Sequence, residues 1–403
     1  MIQLEDKDLL SQLLAPISVD DFFNEIYGKD YCHIQNRDND IYKNILTLED
    51  IDDALKLQKI PATAIKIKKE GKDLPIDSWY KSNGTFSGSV SINEKKIFEH
   101  LNQGCSLILN YLNRFIPKLQ QFMELFKTEM SAISWANIYI TPNTAKALEK
   151  HFDPHDVFVL QIKGTKHWRL YDTVVELPDD DLPMENYIPL CEKAKLVKEI
   201  TLEEGDLLYF PRGMVHDAIT SDEVSVHVTL GVIAPKMKDV ISTLQSESIK
   251  ELFFRKRIDA ALKEFKGVDE LEKKFKESLI EIIKKTSLRH LLEQTNLEFQ
   301  KRTFNSTPSR GLTNFINRKK ISEDTVIARR KDGKFQVSAE GKFICLYYNG
   351  RIERFPLPLQ EIIKHIINND FVKIKDLPGE IPISFKVKIV GQLLDKHLID
   401  IRK

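Results

Sequence analysis

The spacing of apolar positions divides the chain into three regions of different period. From about residue 105 to 235 short apolar runs recur, separated by Gly, Pro, Asn and Asp: ISWANIYI (133–140), DVFVLQI (156–162), HWRLYD (167–172), DLLYF (206–210) and VSVHVTLGVI (224–233). Runs of that length, rich in β-branched and aromatic residues, read as strands, and many short strands with turn chemistry between them predict a sandwich or barrel. Lys163-Gly164-Thr165 between two runs predicts a hairpin, and 173–195, with Asp179-Asp180-Asp181, a surface loop.

Before this region, SVDDFFNEIYG (18–28) predicts a helix capped by Ser18 and closed by Gly28, followed by an edge strand over Tyr31–Ile34. After Pro235 the period becomes helical, and Leu271, Phe275, Leu279, Ile282 and Ile283 fall near one face of a long helix. From 326 onward strands (KFQVSA, KFICLYY, RIERFPL) alternate with helices (LQEIIKHIINN, FKVKIVGQLLDKHL), an order that suits a winged-helix-like module. The expectation is an α+β protein in three parts: a β-rich domain with an N-terminal extension over 1–235, a helical domain over 236–325, and a winged-helix-like domain over 326–403.

Composition narrows the function little. The 60 Lys and Arg balance 60 Asp and Glu, which argues against nucleic-acid or membrane binding by the surface as a whole. A local basic set (Arg318, Lys319, Lys320, Arg329, Arg330, Lys331) leaves phosphate contact open, against the commoner meaning of a solvated face. Cys32, Cys105, Cys191 and Cys345 are scattered, with neither a metal-knuckle nor a disulfide pattern, and point to a reducing cytoplasm. The acidic, amphipathic start predicts no signal peptide, and the lack of a run of about 18 apolar residues predicts no membrane span.

Chemistry concentrates around His151-Phe152-Asp153. In an extended strand, residues two apart project to the same face, so the histidine and carboxylate can chelate one ion. His216, after the turn-forming run EGDLLYFPRG (204–213), offers a third ligand. Two imidazoles and one carboxylate form the facial triad that non-haem Fe(II) sites use, leaving coordination positions open. Spacing alone weighs this evenly against a surface role for His151, and His155, His167 and His227 are rival ligands. Pro154 argues against a continuous strand from His151 to His155.

The stretch IYITPNTAKALEKHFDPHDVFVLQIKGTKHWRLYD (138–172), with YFPRGMVHDA (209–218), resembles the cupin-4 branch of JmjC proteins, the ribosomal oxygenases. DFFNEIYGKDYCHI (21–34), CSLILNYLNRFIP (105–117) and the order of the three regions follow the same family. The resemblance implies a double-stranded β-helix (cupin/JmjC jelly roll), with Fe(II) held by His151, Asp153 and His216 and with 2-oxoglutarate and dioxygen as cosubstrates. It implies that Lys166, 15 residues after His151, pairs with the distal carboxylate of 2-oxoglutarate. Taken without the family, Lys166 reads as a solvated lysine of the hairpin. Asn137 and Thr229 correspond to the cosubstrate pocket and Tyr139 to the substrate channel, and on a strand 137 and 139 share a face. Trp168 and Phe158 read as core residues.

The chain departs from the family in the segment 143–150, where relatives carry glycine near the substrate entrance, and at Gly231, where some relatives carry a serine. The implied activity is hydroxylation of a protein or peptide side chain, with Arg or His of a ribosomal protein as the family's example and a natural-product precursor as a variant. Demethylation of lysine is a lesser variant, and a homodimer through 236–325 is implied with it. Two other classes stand beside these: a metal-binding cupin that is not an oxygenase, and a nucleic-acid-binding regulator acting through its tail.

Overall fold

The computed structural model describes residues 9–35, 40–56, 60–82, 90–143, 148–183, 186–220, 222–303, 311–330, 335–348 and 351–402. The chain divides into two compact units, 1–233 and 234–403.

The first unit contains thirteen described strands: β1 (Cys32–Ile34), β2 (Ile65–Lys69), β3 (Lys72–Asp73), β4 (Tyr80–Ser82), β5 (Val90–Ile92), β6 (Ser106–Leu109), β7 (Ile133–Thr141), β8 (Asp156–Lys163), β9 (Lys166–Thr173), β10 (Leu196–Leu202), β11 (Leu207–Phe210), β12 (Met214–Ile219) and β13 (Ser225–Ile233). Eight of them form one sheet in the order β1-β11-β8-β13-β7-β6-β2-β3, and β10-β9-β12 form a second. β4 and β5 make a separate ribbon. The expected edge strand is β1, which pairs with β11.

Both faces of the large sheet are buried, which explains why its strands read as near-continuous apolar runs. Ala136, Ile138, Phe158, Leu160, Leu207, Tyr209, Val228 and Leu230 join the helical layer, including Phe22, Phe122 and Phe126, in one core. The alternate residues Val157, Val159, Leu208 and Phe210 face inward and pack with Trp168, Leu170, Ile200 and Leu202 of the second sheet. The period of two sorts neighbouring side chains into two cores. Burying those eight inner residues stabilises the sandwich by roughly 1.5–3 kcal/mol per large side chain.

The N-terminal helix begins as expected. Ser18 Oγ accepts from Asp21 N–H at 3.0 Å, and the turn continues through a π-helical segment, Phe22–Ile26. Gly28 N–H then donates to Tyr209 Oη at 2.7 Å, tying the helix end to β11.

Two sequence expectations fail here for the same reason: local patterns do not reveal which sheet a strand joins. Lys163-Gly164-Thr165 is not a hairpin. β8 pairs with β11 and β13, and β9 with β10 and β12, so the segment is a corner between sheets. Gly164 has φ +63°, and a Cβ there would collide with the Val224 carbonyl oxygen. The insert 173–195 is likewise more than a surface loop. Its short helix Ile188–Cys191 buries Cys191, which packs with Ala194, Tyr171, Phe152 and Val215.

The second unit contains helices Met237–Ser248, Ile258–Glu264, Val268–Lys285, Leu288–Thr303 and Gly311–Asn317. On Val268–Lys285, Ile282 is buried, Leu271 and Leu279 are half-buried, and Phe275 and Ile283 are about half exposed, so only part of the expected apolar face is covered. The remainder of the unit holds β14 (Val326–Arg329), β15 (Phe335–Glu340), β16 (Phe343–Tyr348), β17 (Arg351–Pro356), β18 (Phe371–Lys373) and β19 (Ile399–Ile401) with helices Gln360–Asn368 and Ile383–Asp395. Here β18-β14-β19 and β15-β16-β17 form two three-stranded sheets around one apolar core. No helix among the described residues is long and apolar enough to cross a membrane.

Candidate metal centre and its cavity

His151, Asp153 and His216 come together: one ligand atom from each lies within 4.8 Å of the others. The backbone makes this meeting, although 65 residues separate the two histidines. His151 N–H donates to His216 O at 3.1 Å, His216 N–H donates to His151 O at 2.7 Å, and Gly213 N–H donates to Asp153 O at 2.9 Å. His151 is thus an isolated bridge partner of β12 rather than a member of a regular strand, as Pro154 foretold. Phe152 and Val215, each adjacent to a ligand, point the other way into the cluster built by the insert. Lys150 reinforces the same joint, donating to Ala194 O at 3.1 Å and sitting 3.8 Å over the Tyr171 ring.

Hydrogen bonds set the histidine tautomers. His151 Nδ1 lies 2.6 Å from Glu149 O and His216 Nδ1 3.0 Å from Met214 O. A carbonyl oxygen only accepts, so each Nδ1 carries the proton and each Nε2 keeps its lone pair for a ligand bond. Burial, and next the neighbouring His151, pull the His216 pKa down to about 4, so it is neutral at pH 7. Burial pushes the Asp153 carboxyl up, but His155, His151 and His216 outweigh this and hold it below its ordinary value. His216 Nε2 and Asp153 Oδ2 are 3.7 Å apart. A metal with bonds of ~2.0–2.2 Å holds adjacent donors about 3 Å apart, so this pair needs to close by under ~1 Å.

The triad opens into a cavity of about 140 Å³. That is smaller than the ~300–1,000 Å³ of clefts that enclose drug-sized ligands, and suits a small metabolite. Its floor is the inward face of β7 and β13, which pair Tyr139 with His227, Asn137 with Thr229, and Trp135 with Gly231. Asn137 Oδ1 accepts from Tyr111 N–H at 3.0 Å. Tyr139 stacks on His227, with ring centroids 4.9 Å apart and planes 3° from parallel. Its phenol bonds to Thr229 and Asn137, and burial, then the Asp153 charge, push its pKa upward.

Lys166 lies at the deep end of this row. It is 1% exposed, and its Nζ donates to Thr141 Oγ1 at 3.0 Å. The solvated-lysine alternative fails because β9 enters the second sheet and turns 166, 168 and 170 inward. Burial pulls the Lys166 pKa down to about 7. Burial, then the Lys166 charge, hold the His227 imidazole well below its ordinary value. A buried ammonium costs free energy unless a counter-charge meets it, and no carboxylate of the described residues bonds to this one. His227 Nδ1 and Trp168 Nε1 are also buried without a hydrogen-bond partner. The donor set therefore fits a metal ion, and the deep end fits an anionic ligand with acceptor oxygens.

The rival histidines separate cleanly. His155 stacks on Trp135 at 4.7 Å, His227 lines the cavity away from the triad, and His167 faces Thr201 on the outside. Phe158 and Trp168 are both core as expected, and Trp168 also lines the cavity with its N–H unmet among the described residues. Sequence reasoning also passed over Trp135; its odd-numbered place with Asn137 and Tyr139 on β7 was the available signal. In the segment 143–150, residues 144–147 lie outside the described residues, and Leu148 lines the cavity.

A family model for the JmjC domain matches residues 109–240. The bifunctional lysine-specific demethylase and histidyl-hydroxylase NO66 of Dictyostelium discoideum is 29% identical over 244 residues, 57% of this chain and 43% of its own length. Ribosomal oxygenase 1 of Rattus norvegicus is 29% identical over 238 residues, 55% of this chain and 36% of its own. The chain thus spans less than half the length of the curated relatives it matches. The Escherichia coli ribosomal oxygenase YcfD, solved with cobalt and 2-oxoglutarate, superposes with a TM-score of 0.55 at 16% identity, covering 96% of this chain and 99% of that one. YcfD with cobalt and succinic acid gives 0.56 at 17% identity, covering 96% and 99%. At such identity the likeness is one of fold.

Proposed function

We propose that this protein is an Fe(II)- and 2-oxoglutarate-dependent oxygenase that hydroxylates a side chain of a protein or peptide. The observation that carries the reading is the buried Lys166 ammonium, without a carboxylate partner among the described residues, in the same cavity as a two-histidine, one-carboxylate triad. A metal-binding cupin with no dicarboxylate ligand has no use for that ammonium. In this reading His151, Asp153 and His216 hold the metal, and Lys166 pairs with the distal carboxylate of 2-oxoglutarate as a point charge. Asn137 and Thr229 border the cosubstrate, and Tyr139 lies on the substrate side. When bound, iron with 2-oxoglutarate and dioxygen supplies the oxidation, converting the cosubstrate to succinate and carbon dioxide. The chain's residues fix the ligands' orientation, and the apolar walls Val157, Trp168 and Phe210 exclude water.

The names of the curated relatives support a ribosomal protein as substrate, and the name of the Dictyostelium relative also carries lysine demethylation as a second reading. We read the second unit as a helical segment, 236–325, and a winged-helix-like module, 326–403. Ile258 at 78% exposure, with Met237, Ile241, Ile249 and Leu252 also exposed, supports a homodimer through the helical segment. Four buried cysteines without disulfides support a reducing cytoplasm. The nucleic-acid reading loses ground because Arg318 pairs with Asp395 and Arg329 with Asp370, and Arg330 is buried. Lys331 lies outside the described residues.

Anaerobic titration of the metal-free protein with Fe(II) and 2-oxoglutarate tests the assignment through the visible charge-transfer band of the chelate. The band is expected in wild type, absent in His151→Ala and weakened in Lys166→Ala. Wild-type protein that takes up metal and never 2-oxoglutarate would leave only the likeness of fold.

A further inference from the structure

β8 and β9 belong to different sheets, so the corner between them has no ladder of its own to close it. The carbonyl oxygens of Lys163 and Gly164 take their hydrogen bonds from a side chain instead. Gln161 Nε2 donates to Lys163 O at 2.9 Å, to Gly164 O at 3.0 Å and to Ser225 Oγ at 2.9 Å, two N–H groups serving three acceptors. Glu204 Oε1 in turn accepts the Gly164 N–H at 3.1 Å. β8 bulges at the same place: Val226 pairs with Lys163 and His227 with Gln161, which leaves Ile162 without an opposite and bends the strand toward the corner.

Gln161 is fully buried, two positions beyond Val159 in the inward register that also holds Val157. Its Oε1 has no hydrogen-bond partner among the described residues. A buried amide with an unmet acceptor costs free energy that an apolar side chain would avoid, so packing does not account for a glutamine here. What its Nε2 holds does, because both branches lead to Lys166. The lysine opens β9 two residues past Gly164, and Ser225 pairs across the sheet with Thr141, whose Oγ1 accepts from Lys166 Nζ.

We propose that Gln161 is the positioning residue for Lys166. Its amide fixes the corner from which the lysine springs and, through Ser225, the strand that receives the ammonium, and it thereby sets the affinity for the distal carboxylate of the cosubstrate. The proposal rests on the oxygenase reading above. A lysine acts as a point charge on a flexible stem, so the place where that stem begins decides where the charge is delivered. The triad does not depend on this corner, since its ligands are joined by the His151–His216 bridge and the Gly213–Asp153 bond.

Full-length protein loaded with Mn(II) under anaerobic conditions provides the test, with the affinities of 2-oxoglutarate and 2-oxobutyrate compared by isothermal titration. Both probes offer the metal the same 2-oxo acid group, and only 2-oxoglutarate brings a distal carboxylate. The ratio of the two affinities therefore reads Lys166 and cancels a general loosening of the site. Lys166→Met should lower that ratio about tenfold or more. Gln161→Met, which keeps the volume and removes the amide, should lower it about fivefold with 2-oxobutyrate and Mn(II) affinities unchanged, and should lower it no further when added to Lys166→Met. Ser225→Ala, which removes one acceptor of the amide, should lower it about twofold. An unchanged ratio in Gln161→Met overturns the positioning role, and if that variant does not fold, an unchanged ratio in Ser225→Ala overturns it. Wild-type protein that takes up Mn(II) and binds 2-oxoglutarate no better than 2-oxobutyrate overturns the oxygenase reading itself and the proposal with it.

Discussion

Replacing Lys166 with methionine should make the ligand-free protein more stable while weakening its affinity for 2-oxoglutarate. Burial lowers the Lys166 pKa from 10.5 to about 7. At about 1.4 kcal/mol per pH unit, a buried, unpaired ammonium therefore costs on the order of 4 kcal/mol at neutral pH. The sign follows from proton counting. The unfolded chain keeps this lysine protonated up to pH 10.5, whereas the folded chain releases the proton above about 7. Between those values the unfolded state binds more protons, so the penalty is complete below pH 7 and fades as pH rises. Methionine fills nearly the same volume without the charge, but strands the Thr141 hydroxyl, which costs ~1–2 kcal/mol. The net gain at pH 7 is then about 2–3 kcal/mol, shrinking toward zero by pH 9.5.

Urea unfolding of metal-free protein followed by tryptophan fluorescence reports on the correct unit, because Trp79, Trp135 and Trp168 all lie in the first. The difference between wild type and Lys166→Met across pH 6.5–9.5 cancels every other titrating group. Adding metal should stabilise both proteins through the triad, and adding 2-oxoglutarate to the metal-loaded proteins should stabilise wild type much more than the variant. A variant less stable than wild type at pH 7, or a difference independent of pH, would refute the claim that Lys166 is held as an uncompensated cation awaiting an anion.

Three further outcomes follow from the same contacts. Gly231→Ser should cost ~1–3 kcal/mol by forcing Trp135 and His155 off β13, measured as the thermal midpoint against wild type. Phe152→Ala should lose ~3 kcal/mol or more and also weaken metal binding in isothermal titration, because the cluster with Cys191 and Val215 anchors the segment that carries two ligands. Gly164→Ala should cost over ~1 kcal/mol in chemical denaturation, since it combines positive φ with a backbone collision.

Period and turn chemistry made the elements legible, and the structure shows why they could not make the site legible without help. The run DVFVLQI announces a strand buried on both faces, but not that 157 and 159 face the second sheet while 158 and 160 face the helices. That choice depends on β8 pairing with β11 and β13, partners 47 to 76 residues away. The corner at Gly164 misread for the same reason: a glycine turn between two strands looks alike whether the strands pair or part. Its misreading propagated, because a hairpin would leave Lys166 in water, and only the crossing into the other sheet turns it inward to Thr141. The ligand triplet was legible as chemistry through residue type and spacing, yet its geometry comes from a two-residue bridge, His151 with His216, too short to leave a periodic trace. Trp135 shows the limit most clearly. Its ring has a place only because a residue 96 positions later has no side chain, and a pattern read along one strand does not see what is missing from its neighbour.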